Sequence, residues 1–395
     1  MRPDRRNVLI LAICQMVYGS GRSLVIATAP VVAYGMAEAK ALATLPTSLV
    51  IVGTAIASIP AAFIMRRFGR RIGFILGALI GTAGGAVAAY GVVQSNLWLF
   101  AAGVFLFGLF SGFSQLYRFA ATDAAATEYR STAVSLVLAG GVLAGFVGPE
   151  AAKLGKDLID SAAFAGSYAL LMGICLLAAL VLTALDIPPQ ARVDREGARR
   201  PLRQIMAQPV FIAATVSAAA VQGVMNFLMT ATPIAMHNVH HQFDDTALVI
   251  EWHVIGMFAP GFVAGWLVAR FGEVRMIYAG IALQLICVAV ALSGEGVWQF
   301  WLANLLQGVG WCFTFTAATV LTTYSYTPAE RDHTQGATNF IIYAFVAVLS
   351  LSSGALVHYF GWYWVNIGAL PLLVIAVLVM LWYSTKPQVQ LAAAG

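Results

Sequence analysis

Met65-Arg66-Arg67-Phe68-Gly69-Arg70-Arg71-Ile72-Gly73 places four arginines around a glycine between two apolar runs, at about residues 42–65 and 72–93. Each run is long enough to cross a bilayer as a helix, which needs roughly 20 apolar residues. A tight turn at Gly69 would let the two helices meet while the arginines stay at the membrane surface. The pattern returns 203 residues later, where Arg270-Phe271-Gly272 again separates two apolar runs.

Two more pairs share that offset: Ala27-Thr28-Ala29-Pro30 with Thr230-Ala231-Thr232-Pro233, and Gly53 with Gly256. Apolar segments match by chance, so one pair means little. Three at a single offset, each at the same place in its half, argue for duplication. Working outward from them, spans fall at about 7–35, 42–65, 72–93, 96–121, 131–153, 163–186, 209–236, 246–269, 274–293, 297–325, 334–357 and 361–384. The runs are continuous rather than alternating, which selects helices over barrel strands. The expected fold is an all-α integral membrane protein of twelve transmembrane helices, in two six-helix bundles related by a pseudo-two-fold axis. Residues 1–186 would form the first bundle, 187–208 a cytoplasmic linker, 209–386 the second bundle and 387–395 a tail.

Composition supports this. Of 395 residues, 60% are hydrophobic and only 10% charged, against about 25% charged in soluble domains. The net charge of +5 does not point to nucleic acid, because the basic residues sit in short loops. Seventeen Lys and Arg lie on the side of the N-terminus and even-numbered loops, against Lys40, Lys153 and Lys156 opposite. That bias places both termini in the cytoplasm, and a bacterial inner membrane is the expected location. Cys14, Cys175, Cys287 and Cys312 lie in apolar segments and read as packing. No HExxH, GxSxG or nucleotide-binding loop is present, so neither a membrane enzyme nor an ATP-driven pump is expected. No cofactor is expected, and the chain is expected to work as a monomer in the lipid bilayer.

The stretch at 65–73 and its counterpart Gly265-Trp-Leu-Val-Ala-Arg-Phe-Gly-Glu-Val-Arg275 resemble the loop signature of the major facilitator superfamily, roughly G-x-x-x-D-R-x-G-R-R. The resemblance implies secondary transport by alternating access, with gating roles for Gly69, Arg70, Arg71 and Gly272. The signature's acid is replaced by Arg66 and Ala269, so no charge relay through it carries over. Gly140-Gly141-Val-Leu-Ala-Gly145-Phe-Val-Gly148-Pro149-Glu150 looks like the glycine-proline motif of the superfamily's drug/proton antiporters. Its bland alternative is close helix packing at small residues.

Polar residues at membrane depth are functional candidates by default. Met225 and Met229 are four apart in the seventh span, as are His253 and Met257 in the eighth. Each pair lies on one helix face, and in antiparallel neighbours the four come level. Thioethers with an imidazole suit Cu(I), although methionine is also a common gap-filler. The paired motifs resemble those of CcoA-like copper importers, a branch neighbouring the RfnT-like riboflavin importers. The resemblance implies Met225, Met229, His253 and Met257 as metal ligands, with a copper ion as substrate.

Other residues favour a different cargo. Arg22 falls opposite Met225 in the repeat, so it should face the central cavity, where a fixed cation repels a bare copper ion. Glu251 or Asp123 could neutralise it. Gln222 and Asn226 could hydrogen-bond an organic solute, Glu251 could carry a coupling proton, and Arg118 could pair with Asp123 at an inner gate. His237, His240, His241, Asp244 and Asp245 could gather metal at the outer mouth. Copper import through the Met/His site is the expected function, with import of riboflavin or another small organic solute, or proton-coupled drug efflux, as the alternatives.

Overall fold

The computed structural model describes residues 3–124, 130–187, 200–327 and 330–386. Apart from the 3-10 turn Lys40–Thr44, its regular elements are α-helices: α1 (Pro3–Met36), α2 (Leu45–Phe68), α3 (Arg70–Val93), α4 (Leu97–Ser114), α5 (Tyr117–Ala124), α6 (Arg130–Lys156) and α7 (Ala165–Leu182) in the first half. The short α8 (Leu202–Met206) follows, then α9 (Pro209–Asn238), α10 (Phe243–Phe258), α11 (Gly261–Phe271), α12 (Glu273–Leu292), α13 (Val297–Thr323) and α14 (Arg331–Ser384). The long α14 leaves helical geometry at Gly361, with φ 78 and ψ 177, and so comprises two spans. With α10 and α11 taken as one span bent by 42°, the twelve expected crossings are accounted for.

Local sequence explains where helices stop. α2 ends at Gly69 (φ 90, ψ 158) and α11 at Gly272 (φ 84, ψ 155), a region open essentially only to glycine. Asn96 starts α4 by accepting the Trp98 and Leu99 amides at 3.0 Å. Pro209 opens α9, where a missing N–H costs nothing. Two expected spans are not straight. The fourth, 96–121, breaks between α4 and α5 around Gln115, and the eighth bends at Pro260, whose ring removes a helical hydrogen bond.

Packing repeats between the halves. α1 lies on α6, α3 on α4 and α7, and α2 on α4; α9 on α14, α12 on α13 and α14, and α10 on α13 reproduce the scheme. The buried apolar side chains fall into two main cores, one from Val8 to Leu185 and one almost wholly from Ala213 to Met380. Across the halves, α6 packs on α10 and α2 on α14, again a symmetric pair.

The glycines of the antiporter-like motif explain the α6 contacts. A Cβ on Gly140 would lie 2.5 Å from the Ala12 carbonyl oxygen, and one on Gly148 2.5 Å from that of Ser20, so these glycines seat α1. Gly141 and Gly145 face Phe258, Val254 and Ile255 of α10 in the opposite half. Close approach of helices is thus what this stretch visibly provides.

Candidate functional site

Between the halves lies a gap lined by Arg22 of α1, Thr54 of α2, Ser111 of α4, Gln115, Gln222 and Asn226 of α9, and Tyr343 of α14, with Val50, Ile51 and Val346. It is contracted: about 20 Å³ is open to the centre of a water molecule, room for roughly one water.

Arg22 occupies the gap, as its repeat position implied. Gln115 Nε2 reaches the Tyr18 hydroxyl oxygen at 3.5 Å. The Tyr18 hydroxyl also shares a hydrogen bond with Ser111 Oγ, 2.6 Å away. Of the two expected neutralising partners of Arg22, Asp123 has its side chain outside the described residues, and Glu251 forms no ion pair with it. Among the described residues the ion pairs are Lys153–Glu150 and Arg200–Glu330. Glu251 is buried in α10 where that helix packs on α6, its backbone oxygen against Gly145. The side chains of Arg118 and Asp123 lie outside the described residues, and so does their expected pairing.

Gln222 and Asn226, one turn apart on α9, both face the gap. Gln222 Oε1 accepts the Trp311 indole N–H at 2.5 Å, and Asn226 Nδ2 donates to the Gln222 carbonyl at 2.9 Å. Trp311 itself stacks on Phe315, with ring centroids 5.1 Å apart and planes at 16°.

The methionine–histidine quartet is buried, but none of its members is among the residues lining the gap. Met229 sits with Ala27, Ile250 and Val254, flanked by Ile26 and Phe258, in an apolar cluster joining α1, α9 and α10. His253 is turned toward α13: its Nδ1 donates to the Asn304 carbonyl at 2.9 Å. A carbonyl can only accept, so Nδ1 carries the proton, and the buried Nε2 has no hydrogen-bond partner among the described residues. Met225 is 1% exposed and Met257 8%. The outer-loop histidines disperse. His241 bonds the Glu295 carbonyl at 2.7 Å, and His237 meets the Tyr34 ring edge-on. Among the described residues, no three His, Cys, Asp or Glu gather as a metal site, so that loop is not the collecting cluster its composition suggested.

On the face away from the termini the halves are tied together. Ser48 bonds Ser350 at 2.9 Å, Phe164 meets Phe243 edge-on, and Gly354 lies against Thr44 too closely for any side chain. On the termini face, Arg200 at the end of the linker is clamped to Glu330 through Nε and Nη2, at 2.8 and 2.7 Å, with the Thr327 amide on the same carboxylate. These donors hold the Glu330 carboxyl well below the usual carboxylate range, the Arg200 side chain contributing most.

Sequence reasoning missed Tyr18, Thr54, Ser111, Tyr343, Trp311 and the Arg200–Glu330 clamp. The hydroxyls look like ordinary helix residues, and Trp311 is one of nine tryptophans. The repeat position of Arg22 and the polar pair Gln222 and Asn226 in an apolar span were the readable signals for the gap.

Comparison with known proteins agrees with this architecture. Residues 11–259 and 210–394 match the model described as Major Facilitator Superfamily. The riboflavin transporter RfnT of Brucella anthropi is 40% identical over 387 residues, covering 97% of each chain. The uncharacterized MFS-type transporter YddS of Bacillus subtilis is 27% identical, covering 98% of this chain and 94% of its own. A crystal structure of a bacterial homologue of the human lysosomal transporter Spinster, inward-facing and occupied, is similar in fold, with TM-score 0.73, 16% identity and 97% of each chain covered.

Proposed function

The chain belongs to the major facilitator superfamily, and from that premise we propose that it imports riboflavin, or a solute sharing its ring system, by alternating access of the two bundles to the central gap. The observation that carries the reading is the composition of that gap: one arginine, three side-chain amides and hydroxyls, backed by the Trp311–Phe315 stack. An organic ring compound rich in acceptors is complementary to such a wall. The similarity to RfnT over nearly the full chain supports the same cargo.

The gap as it stands admits about one water, so a ring system enters only when the bundles part. The contacts at Ser48–Ser350 and Phe164–Phe243 then act as a gate that closes away from the termini. The charge-count expectation of cytoplasmic termini makes that the outer gate.

Copper import fits the same placements less well. Arg22 puts a positive charge in the gap, and Met229 lies in an apolar cluster beside it. The unpartnered His253 Nε2 is the one quartet atom in a state to bind a metal, and a lone imidazole is a weak trap.

The test is uptake of labelled riboflavin by cells unable to make it, carrying the parent chain, Arg22→Met or Gln222→Leu. Saturable uptake by the parent, reduced at least tenfold in both variants at equal protein level, is expected. Uptake no higher than in empty-vector cells overturns the reading. ⁶⁴Cu uptake in the same cells should not exceed that of the vector; copper uptake sensitive to His253→Ala would restore the metal reading instead.

A further inference from the structure

We infer that the gap recognises a cyclic imide edge, two carbonyls flanking an N–H, and that Trp311 is the positioning residue that sets it to do so. The inference rests on the flavin reading above and narrows it to one edge of the cargo.

The argument is a count of donors and acceptors. An indole N–H can only donate. Its partner on Gln222 is therefore the amide oxygen, held at 2.5 Å, and the amide that Gln222 presents to the gap is its NH₂. A backbone carbonyl can only accept, so the atom of Asn226 bonded to the Gln222 carbonyl is Nδ2. Asn226 is left presenting Oδ1. Neither orientation is free to reverse, because each is fixed by a partner of single polarity.

Arg22 completes the set. Its guanidinium carries five N–H groups, and no described carboxylate pairs with it. The lining thus offers a donor at Gln222, an acceptor at Asn226 and further donors at Arg22. Its complement is a group that carries a donor beside acceptors. Imides have that pattern; amines and simple carboxylates do not. Within the ring system of a flavin only the pyrimidine-dione edge carries it, and methylation of the imide nitrogen destroys it. Trp311 adds a second constraint through its stack on Phe315, which fixes the indole plane and with it the direction of the N–H.

If Trp311 loses that N–H, Gln222 can rotate and present oxygen instead. Affinity for the imide carbonyl facing Gln222 should then fall, while the preference against N-methylation, which Asn226 sets, remains. This is the behaviour that separates positioning from general packing.

The experiment is competition against labelled riboflavin uptake by unlabelled riboflavin, lumichrome (which keeps the imide but lacks the sugar chain) and 3-methylriboflavin. In the parent, riboflavin and lumichrome should compete, and 3-methylriboflavin should be roughly ten- to hundredfold weaker, the cost of leaving a buried acceptor unpaired. In Trp311→Phe riboflavin and lumichrome should each compete roughly tenfold more weakly than in the parent, because the rotated Gln222 oxygen faces an imide carbonyl, while the preference over 3-methylriboflavin, set by Asn226, persists. Equal competition by 3-methylriboflavin in the parent overturns the inference while leaving riboflavin import standing. Competition by riboflavin as strong in Trp311→Phe as in the parent overturns the role of Trp311. Should the parent take up no riboflavin, binding of uracil and of 3-methyluracil to the purified protein decides the imide question separately. Preference for uracil upholds it, and no preference ends it.

Discussion

Replacing Gly272 with alanine tests the reasoning about the duplicated turn with little else in play. Gly272 has φ 84 and ψ 155, and an added Cβ would meet nothing within 4 Å. Crowding therefore contributes nothing, and the cost is that of the backbone conformation alone. That region costs an L-residue about 1–3 kcal/mol. Lower entropy of the unfolded alanine chain offsets about 0.4–1 kcal/mol of it. The net expectation is a loss of roughly 1–2 kcal/mol. Gly173 is the control: its Cβ would also meet open space, but it lies inside α7. There alanine is better than glycine by up to about 1 kcal/mol. At about 1 °C per kcal/mol for a chain of this length, Gly272→Ala should melt roughly 1–2 °C below the parent and Gly173→Ala at or slightly above it. The nine tryptophans report melting by intrinsic fluorescence in detergent, at one scan rate because such unfolding is often irreversible. Equal melting of Gly272→Ala and the parent would refute the strained-turn account of both signature loops.

A Ser48→Cys/Ser350→Cys pair, built where the native hydroxyls are 2.9 Å apart, should cross-link on mild oxidation. Uptake should fall in proportion to the cross-linked fraction and return with reductant; the native cysteines are buried and should not interfere. Uptake unaffected by complete cross-linking would show that this face need not open. Within α6, Gly140→Ala pushes a Cβ to 2.5 Å from a backbone oxygen, whereas Gly145→Ala meets neighbours no closer than 3.3 Å. The first should cost about 1–3 kcal/mol and reduce the folded yield on size exclusion, and the second should stay within about 1 kcal/mol. For the Arg200–Glu330 clamp, the Glu330 carboxyl is depressed below its ordinary value of 4.5. Its contribution is thus complete above the unfolded value and lost only as pH falls through the lower folded one. Glu330→Gln should therefore melt below the parent by a constant interval from pH 6 to 8, an interval that shrinks in strong acid. A difference that varies across neutral pH would contradict the clamp as described.

Much of the architecture was legible in the linear chain, because a bilayer imposes it locally. Hydrocarbon demands continuous apolar helices, so their number and approximate ends follow from composition, and the 203-residue repeat announces two halves. Arg22 could be assigned to the gap for the same reason, since duplication relates its position to Met225. Helix rotation is different. Met225, Gln222 and Asn226 occupy neighbouring positions on one turn of α9, and a small turn about the axis decides which of them meets cargo. That angle is set by contacts remote in sequence, such as Trp311 on Gln222 and Asn304 on His253. Spacing put the sulfur and imidazole residues level with one another; only tertiary packing decided that amides and a guanidinium line the space between the bundles while His253 turns its ring to α13.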